Sequence, residues 1–177
     1  MPNAFEEIAA LAISEWNAKS VRRGSPATGV FMQLIAEHRE ATALIVRFKD
    51  TAAVELRRVV WEQLRSALLT HERAEAQAVY SAFSDYPNLQ VFADEHERQA
   101  HTLDGMLMDL DKLPLEGVEW QAAFERLEAA LRQHVAAEES VYFPRAEHVM
   151  GTDRVTALEA SYLSAKQTLV ALSNANR

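Results

Sequence analysis

Apolar residues along this chain recur three and four positions apart, as in Leu64, Ala67, Leu68, Ala74 and Ala78, and no stretch alternates with the period of a strand. The segments carrying this pattern are rich in Ala, Leu, Glu, Arg and Gln, which favour helix. Helix breakers punctuate them at Gly24-Ser25-Pro26 with Gly29, at Tyr86-Pro87-Asn88, from Pro114 to Gly117, and at Gly151-Thr152-Asp153. The pattern predicts helices near residues 4–18, 30–49, 52–84, 89–112, 118–148 and 154–173. The cut after residue 49 has no Gly or Pro. It rests on Asp50 or Thr51 as an N-cap and on the turn that antiparallel neighbours in a bundle require.

An internal repeat organises these helices. Trp61 to Glu75 aligns without a gap on Phe124 to Glu138, so that an aromatic, Leu, Ala, Leu, His and Glu coincide. A shorter pair matches Glu37-His38 with Glu95-His96. The order is a helix with His followed by a helix with His-x-x-x-Glu, twice over. Two such hairpins about a pseudo-twofold axis bring the His and Glu of all four helices toward one centre. The expected fold class is all-α, an up-and-down four-helix bundle with additional N- and C-terminal helices. One domain is expected over 1–177, with an N-terminal helix and loop at 1–26, the core at 30–150 and a C-terminal helix at 153–177. The outer helices, through Phe5, Ile8, Leu11, Ile13 and Trp16 and through Leu158, Tyr162, Leu163 and Leu169, read as amphipathic. They are expected to cover the bundle or to form a homodimer contact.

Charge and composition narrow the chemistry. A net charge of -8 offers no basic face to nucleic acid or to anionic lipid. With no cysteine, thiolate metal sites, iron–sulfur clusters and disulfides are excluded, so any metal rests on His and carboxylate. The acidic N-terminal stretch lacks the pattern of a signal peptide, and a cytoplasmic location is expected.

Residues four apart share a helix face, which gives His71 with Glu75 and His134 with Glu138 the spacing of chelating pairs. Of the six histidines only these two have a carboxylate four residues later, and none has one three residues before it. The Glu-x-x-His signature of ferritin-like carboxylate sites is therefore missing, and an imidazole-rich site is favoured. Iron suits such a donor set, although zinc and manganese are admissible. Two symmetric carboxylates suit bridging a pair of ions, with one position left open for a ligand. Tyr80 and Phe143 stand at matching positions nine residues past His71 and His134; either could line the site, and core packing is the favoured expectation. His148, near Gly151, reads as a helix-end or solvated residue.

The motifs Ala36-Glu37-His38-Arg39-Glu40, His71-Glu72-Arg73-Ala74-Glu75, Asp94-Glu95-His96-Glu97 and His134-Val-Ala-Ala-Glu-Glu139, followed by Tyr142-Phe143-Pro144, resemble those of the hemerythrin-like HHE cation-binding proteins over about residues 30–150. The resemblance implies two non-heme iron ions, oxo- or hydroxo-bridged, binding or sensing oxygen, nitric oxide or peroxide. It makes His38, His71, His96 and His134 terminal ligands and Glu75 and Glu138 bridges. A metal- and gas-binding protein is expected more than an enzyme, with a peroxide or nitric oxide stress enzyme or a metal-stabilised interaction module as alternatives. Hemerythrins proper have a further His four residues after the third-helix ligand, whereas here His101 follows His96 by five. His101 reaches the site only if a π-bulge lies between them; otherwise Glu72 is the substitute.

Overall fold

A computed structural model of the protein describes residues 27–175; the helix expected near 4–18 lies outside them. Among the described residues there are five helices and no strand. They are α1 (Gly29–Asp50); α2, which joins Val54–Glu75, a π-helical turn Ala76–Tyr80 and Ser81–Phe83; and α3 (Gln90–Leu110). After these come α4, which joins Val118–Ala137, a π-helical turn Glu138–Tyr142 and Phe143–Met150, and α5 (Thr152–Ala175). α1 packs on α2 and α3 on α4, the two hairpins meet through α2 and α3, and α5 lies along α1 and α2. The result is the expected up-and-down bundle with an additional C-terminal helix. None of the described helices is long and apolar enough to cross a membrane.

The α1–α2 corner differs from the expectation in its chemistry. Thr51 closes α1 and does not open α2: its N–H donates to Phe48 O, and its hydroxyl donates to Arg47 O at 2.6 Å. The residue that precedes α2 is Ala53, whose side chain cannot cap. The hydroxyl that could have satisfied the first turn of α2 is used on the free carbonyls of α1.

Two apolar clusters fill the bundle. The first holds Phe31, Leu34, Val79, Phe83, Leu89, Phe92, Phe143 and Tyr162. The second holds Phe48, Trp61, Leu64, Leu107, Trp120, Phe124 and Leu127. Each large side chain so buried contributes about 1.5–3 kcal/mol of transfer free energy. Along every core helix the two clusters are separated by buried polar residues: Glu37 and His38 on α1, His71, Glu72 and Glu75 on α2, Glu95 and His96 on α3, His134 and Glu138 on α4. A polar layer thus lies across the middle of an apolar bundle.

α5 docks against the start of α1 at Gly29, where φ is +50° and an added Cβ would stand 2.6 Å from the Thr156 backbone. Only glycine accepts both the conformation and the approach. That contact brings Tyr162 and Lys166 onto the bundle beside the polar layer.

Candidate metal centre

The chelate pairs form as their spacing requires. His71 Nε2 lies 3.4 Å from Glu75 Oε2, and His134 Nε2 lies 3.3 Å from Glu138 Oε2. The other two helices add their imidazoles from across the bundle: His38 Nε2 is 3.3 Å from Glu138 Oε2, and His96 Nε2 is 3.6 Å from Glu75 Oε2. Each carboxylate of a chelate pair therefore touches an imidazole of the opposite hairpin as well as its own. Donor atoms of Glu75, His96, His134 and Glu138 lie within 4.8 Å of one another.

The donors sort into two poles. At one, the His38 and His71 rings stand 5.0 Å apart. At the other, the His96 and His134 rings are 5.5 Å apart and Glu72 joins them, 3.5 Å from His96 Nε2 and 3.1 Å from His134 Nε2. Glu75 and Glu138 lie between the poles and touch both.

The residues fit metal cations. The Nε2 atoms of all four histidines, both oxygens of Glu75, and one oxygen each of Glu72 and Glu138 are buried without a hydrogen-bond partner. Buried carboxylate oxygens without partners are costly, and four imidazole nitrogens aimed at the same place have nothing but each other and these acids to face. Cations satisfy all of them at once. The outer ring nitrogens are already engaged: Nδ1–H of His38 donates to Glu139 at 2.8 Å, that of His71 to Glu37 at 3.0 Å, and that of His134 to the Gln99 side-chain oxygen at 2.9 Å. Such bonds fix the tautomer that leaves the Nε2 lone pair directed inward.

The sequence profile of the family described as Hemerythrin HHE cation binding domain matches residues 33–146, well over half of the chain. The chain belongs to this hemerythrin HHE family. No curated protein and no solved structure matches it.

Within the HHE bundle, His38, His71, Glu75, His96, His134 and Glu138 are brought together, and His101 is not. α3 runs as regular α-helix through both His96 and His101, which leaves His101 exposed on the outer face, about 140° round from its neighbour. The π-helical turns fall instead in α2, right after Glu75, and in α4, beginning at Glu138. The carboxylate that stands beside His96 and His134 is Glu72.

Protonation in the metal-free centre follows from crowding. Burial, then the neighbouring Glu138, Glu72 and Glu37, push the Glu75 carboxyl well above the usual carboxylate range. Burial opposes a proton on His134, but Glu138 and Glu72 outweigh it and raise that imidazole to about 9. His96, where burial dominates, falls to about 4. Protons thus hold part of the place of the cations, and metal binding releases them.

Several functional neighbours were not identified from sequence. Glu37 accepts from Tyr162 Oη at 2.6 Å, from Lys166 Nζ at 2.7 Å and from Gln33, as well as from His71. Burial works against its charge, yet these donors together hold it well below the usual range. Its position was signalled, since Glu37 belongs to the repeated Glu-His pair, but its partners on α5 carried no motif. Tyr80, expected as packing, stacks on His96 with centroids 3.7 Å apart and donates to Glu138 Oε1 at 2.8 Å.

Proposed function

We propose that the chain holds two iron ions in this centre and binds oxygen, nitric oxide or peroxide at the His38–His71 pole. The supporting observation is the imbalance of donors: Glu75 and Glu138 serve both poles, Glu72 serves only the His96–His134 pole, and the pole left with two imidazoles has the vacancy. Iron, when bound, supplies Lewis acidity and a one-electron couple at each ion. The chain's own residues do the rest. Glu37 and Glu139 orient the His71 and His38 imidazoles, and Phe143 stacks on the His38 ring with centroids 6.1 Å apart. The two apolar clusters flank the layer on either side. Tyr80 keeps one oxygen of Glu138 hydrogen-bonded while the other remains turned to the donors.

Elemental analysis of protein produced with iron tests the first half of the reading, with two ions per chain expected. Stopped-flow absorbance of the reduced, loaded protein tests the second: a reversible adduct with oxygen or nitric oxide is the expected result. Continued turnover of peroxide would make it an enzyme instead. Folded protein that refuses iron under every reconstitution would sink the proposal.

A further inference from the structure

α5 lies beyond residues 33–146, the span that carries the family's profile, yet it reaches the metal centre. Val155, Leu158, Tyr162 and Ala165 form its buried stripe, and no residue of the helix past Ala165 is buried. Toward the end of that stripe two side chains turn to one acid. Tyr162 Oη donates to Glu37 Oε2 at 2.6 Å, and Lys166 Nζ lies 2.7 Å from Glu37 Oε1. His71 Nδ1–H donates to Oε2 at 3.0 Å, and the Gln33 amide donates to Oε1 at 2.7 Å. A carboxylate has about four lone-pair sites, so donors from α1, α2 and α5 together fill those of Glu37.

Tyr162 does more here than pack. Its hydroxyl stands 3.3 Å from His71 Nδ1 as well as on Glu37, and its ring meets the His71 imidazole edge-on with centroids 6.4 Å apart. The residue is buried, so a hydroxyl that gave up Glu37 would be left without a partner; the two hold each other. Glu37 in turn holds the ring whose Nε2 lies 3.4 Å from Glu75. The opposite pole is held without α5. There His134 leans on Gln99, Gln99 donates to Glu95, and Glu95 pairs with Arg98, so every outer partner in that series belongs to α3.

We propose that α5 is a working part of the metal centre: Tyr162 is a positioning residue that orients the His71 imidazole through Glu37, so that docking of α5 and filling of the His38–His71 pole favour each other. The inference rests on the metal-centre reading. Coupling of this kind is reciprocal: the factor by which docked α5 raises metal affinity is the factor by which metal strengthens the docking.

The test uses full-length protein with zinc as the probe. In NMR spectra of the zinc-loaded, isotope-labelled chain, the Nδ1–H protons of His38, His71 and His134 report on each imidazole separately. Tyr162→Phe, which keeps the ring, should shift the His71 signal and speed its exchange with solvent while the other two stay in place. Chelator competition should resolve two zinc-binding steps, of which the weaker, at the pole with fewer carboxylates, falls about fivefold in Tyr162→Phe while the tighter one holds. Backbone amides of α5 should exchange about fivefold more slowly in loaded than in metal-free wild type, and that difference should vanish in Tyr162→Phe. Leu169→Ala separates positioning from packing, since Leu169 packs against the first apolar cluster. It should speed α5 exchange yet leave the His71 signal where it is. If Leu169→Ala moves that signal as Tyr162→Phe does, or if Tyr162→Phe moves all three signals together or none, the positioning role is overturned. Two ions bound with α5 exchange indifferent to loading overturns the coupling and leaves the centre standing. A chain that takes up no metal overturns both.

Discussion

The α1–α2 and α3–α4 hairpins supply the same donors in the same order, His38, His71 and Glu75 from one and His96, His134 and Glu138 from the other. Around those donors the two halves diverge. The residue after the chelating His is Glu72 in α2 and Val135 in α4. The Glu before the single His acts directly in the first half, where Glu37 accepts from His71. In the second it acts through an intermediary: Gln99 donates to Glu95 at 2.7 Å and presents its own oxygen to His134. Nine residues past the chelating His, α2 has Tyr80 and α4 has Phe143, both stacked on an imidazole of the opposite hairpin, but only the first with a hydroxyl. Repetition builds a centre with two similar poles, and the departures from it give the His96–His134 pole a carboxylate, Glu72, that the His38–His71 pole lacks.

Val135→Glu tests that difference most severely. By the pseudo-twofold relation, a carboxylate at residue 135 stands to His38 and His71 as Glu72 stands to His134 and His96. The variant should keep two ions per chain yet bind nitric oxide at least about a hundredfold more weakly, a change of about 2.7 kcal/mol. Optical titration of the reduced protein measures it. Unchanged affinity with both ions present would show that the vacancy is not at this pole.

Next in size is the pH dependence of the metal-free fold. His134 rises from its ordinary 6.5 to about 9 in the folded chain, against burial, through Glu138 and Glu72. A group whose folded value is raised stabilises fully below its unfolded value, and that stabilisation is lost as pH climbs through the folded one. Melting temperature should therefore fall between about pH 6.5 and 9, by the equivalent of roughly 3 kcal/mol at most. His38 is shifted the same way, with Glu138 and Glu139 overcoming its burial, and adds to the trend. Glu72→Gln should flatten the slope. Metal should abolish it, because the Nε2 lone pairs are then committed. A melting temperature level across this window in the metal-free wild type contradicts the assignment.

Glu37→Gln is expected to lower metal affinity about tenfold to a hundredfold, the usual cost of removing an outer partner of a ligating imidazole. Gln99→Glu, which gives His134 the direct carboxylate that His71 already has, should raise affinity at the opposite pole. Competition with a coloured chelator reads both. Equal, small effects would mean that the two imidazoles do not sense the difference between a carboxylate and an amide.

How much of this could be read from the chain depended on how local each signal is. The described helices were legible because each buries a face with its own period, and the repeat placed six of the seven candidate site residues in register, so that the fold brings them side by side. His101 lies apart from them because the π-helical turn that its approach required does not fall between His96 and His101. In α4 the sequence did carry a mark of that turn: Pro144 lies within the expected helix, where its ring and missing N–H disturb regular α-helical bonding. The π-helical turn ends at Tyr142, leaving Pro144 in the first turn of the following segment. In α2 the matching turn, Ala76–Tyr80, contains no such residue. Tyr162 was legible as apolar-face packing but not as a donor to Glu37, 125 residues away, because that contact exists only once α5 has docked.

The smallest expected effect concerns the pair Tyr80 and Phe143. Tyr80 is buried, and its hydroxyl meets a carboxylate that also faces both poles. Its own ionisation is suppressed, first by burial and then by Glu138, which favours the phenol as a donor. Glu75, the counterpart of Glu138, has both oxygens free of hydrogen bonds. Tyr80→Phe removes the difference and leaves both carboxylates without a phenol. A hydrogen bond to a charged group contributes about 1.5–3 kcal/mol, and the ring stack on His96 survives the change, so the loss in the metal-free protein should fall at the lower end of that range. Chemical denaturation measures it. Phe143→Tyr, which offers a hydroxyl in the other half, should not compensate in the double variant unless the new phenol reaches Glu75. Full compensation would mean that the two halves are interchangeable at this position, and that the asymmetry of the centre resides in Glu72 alone.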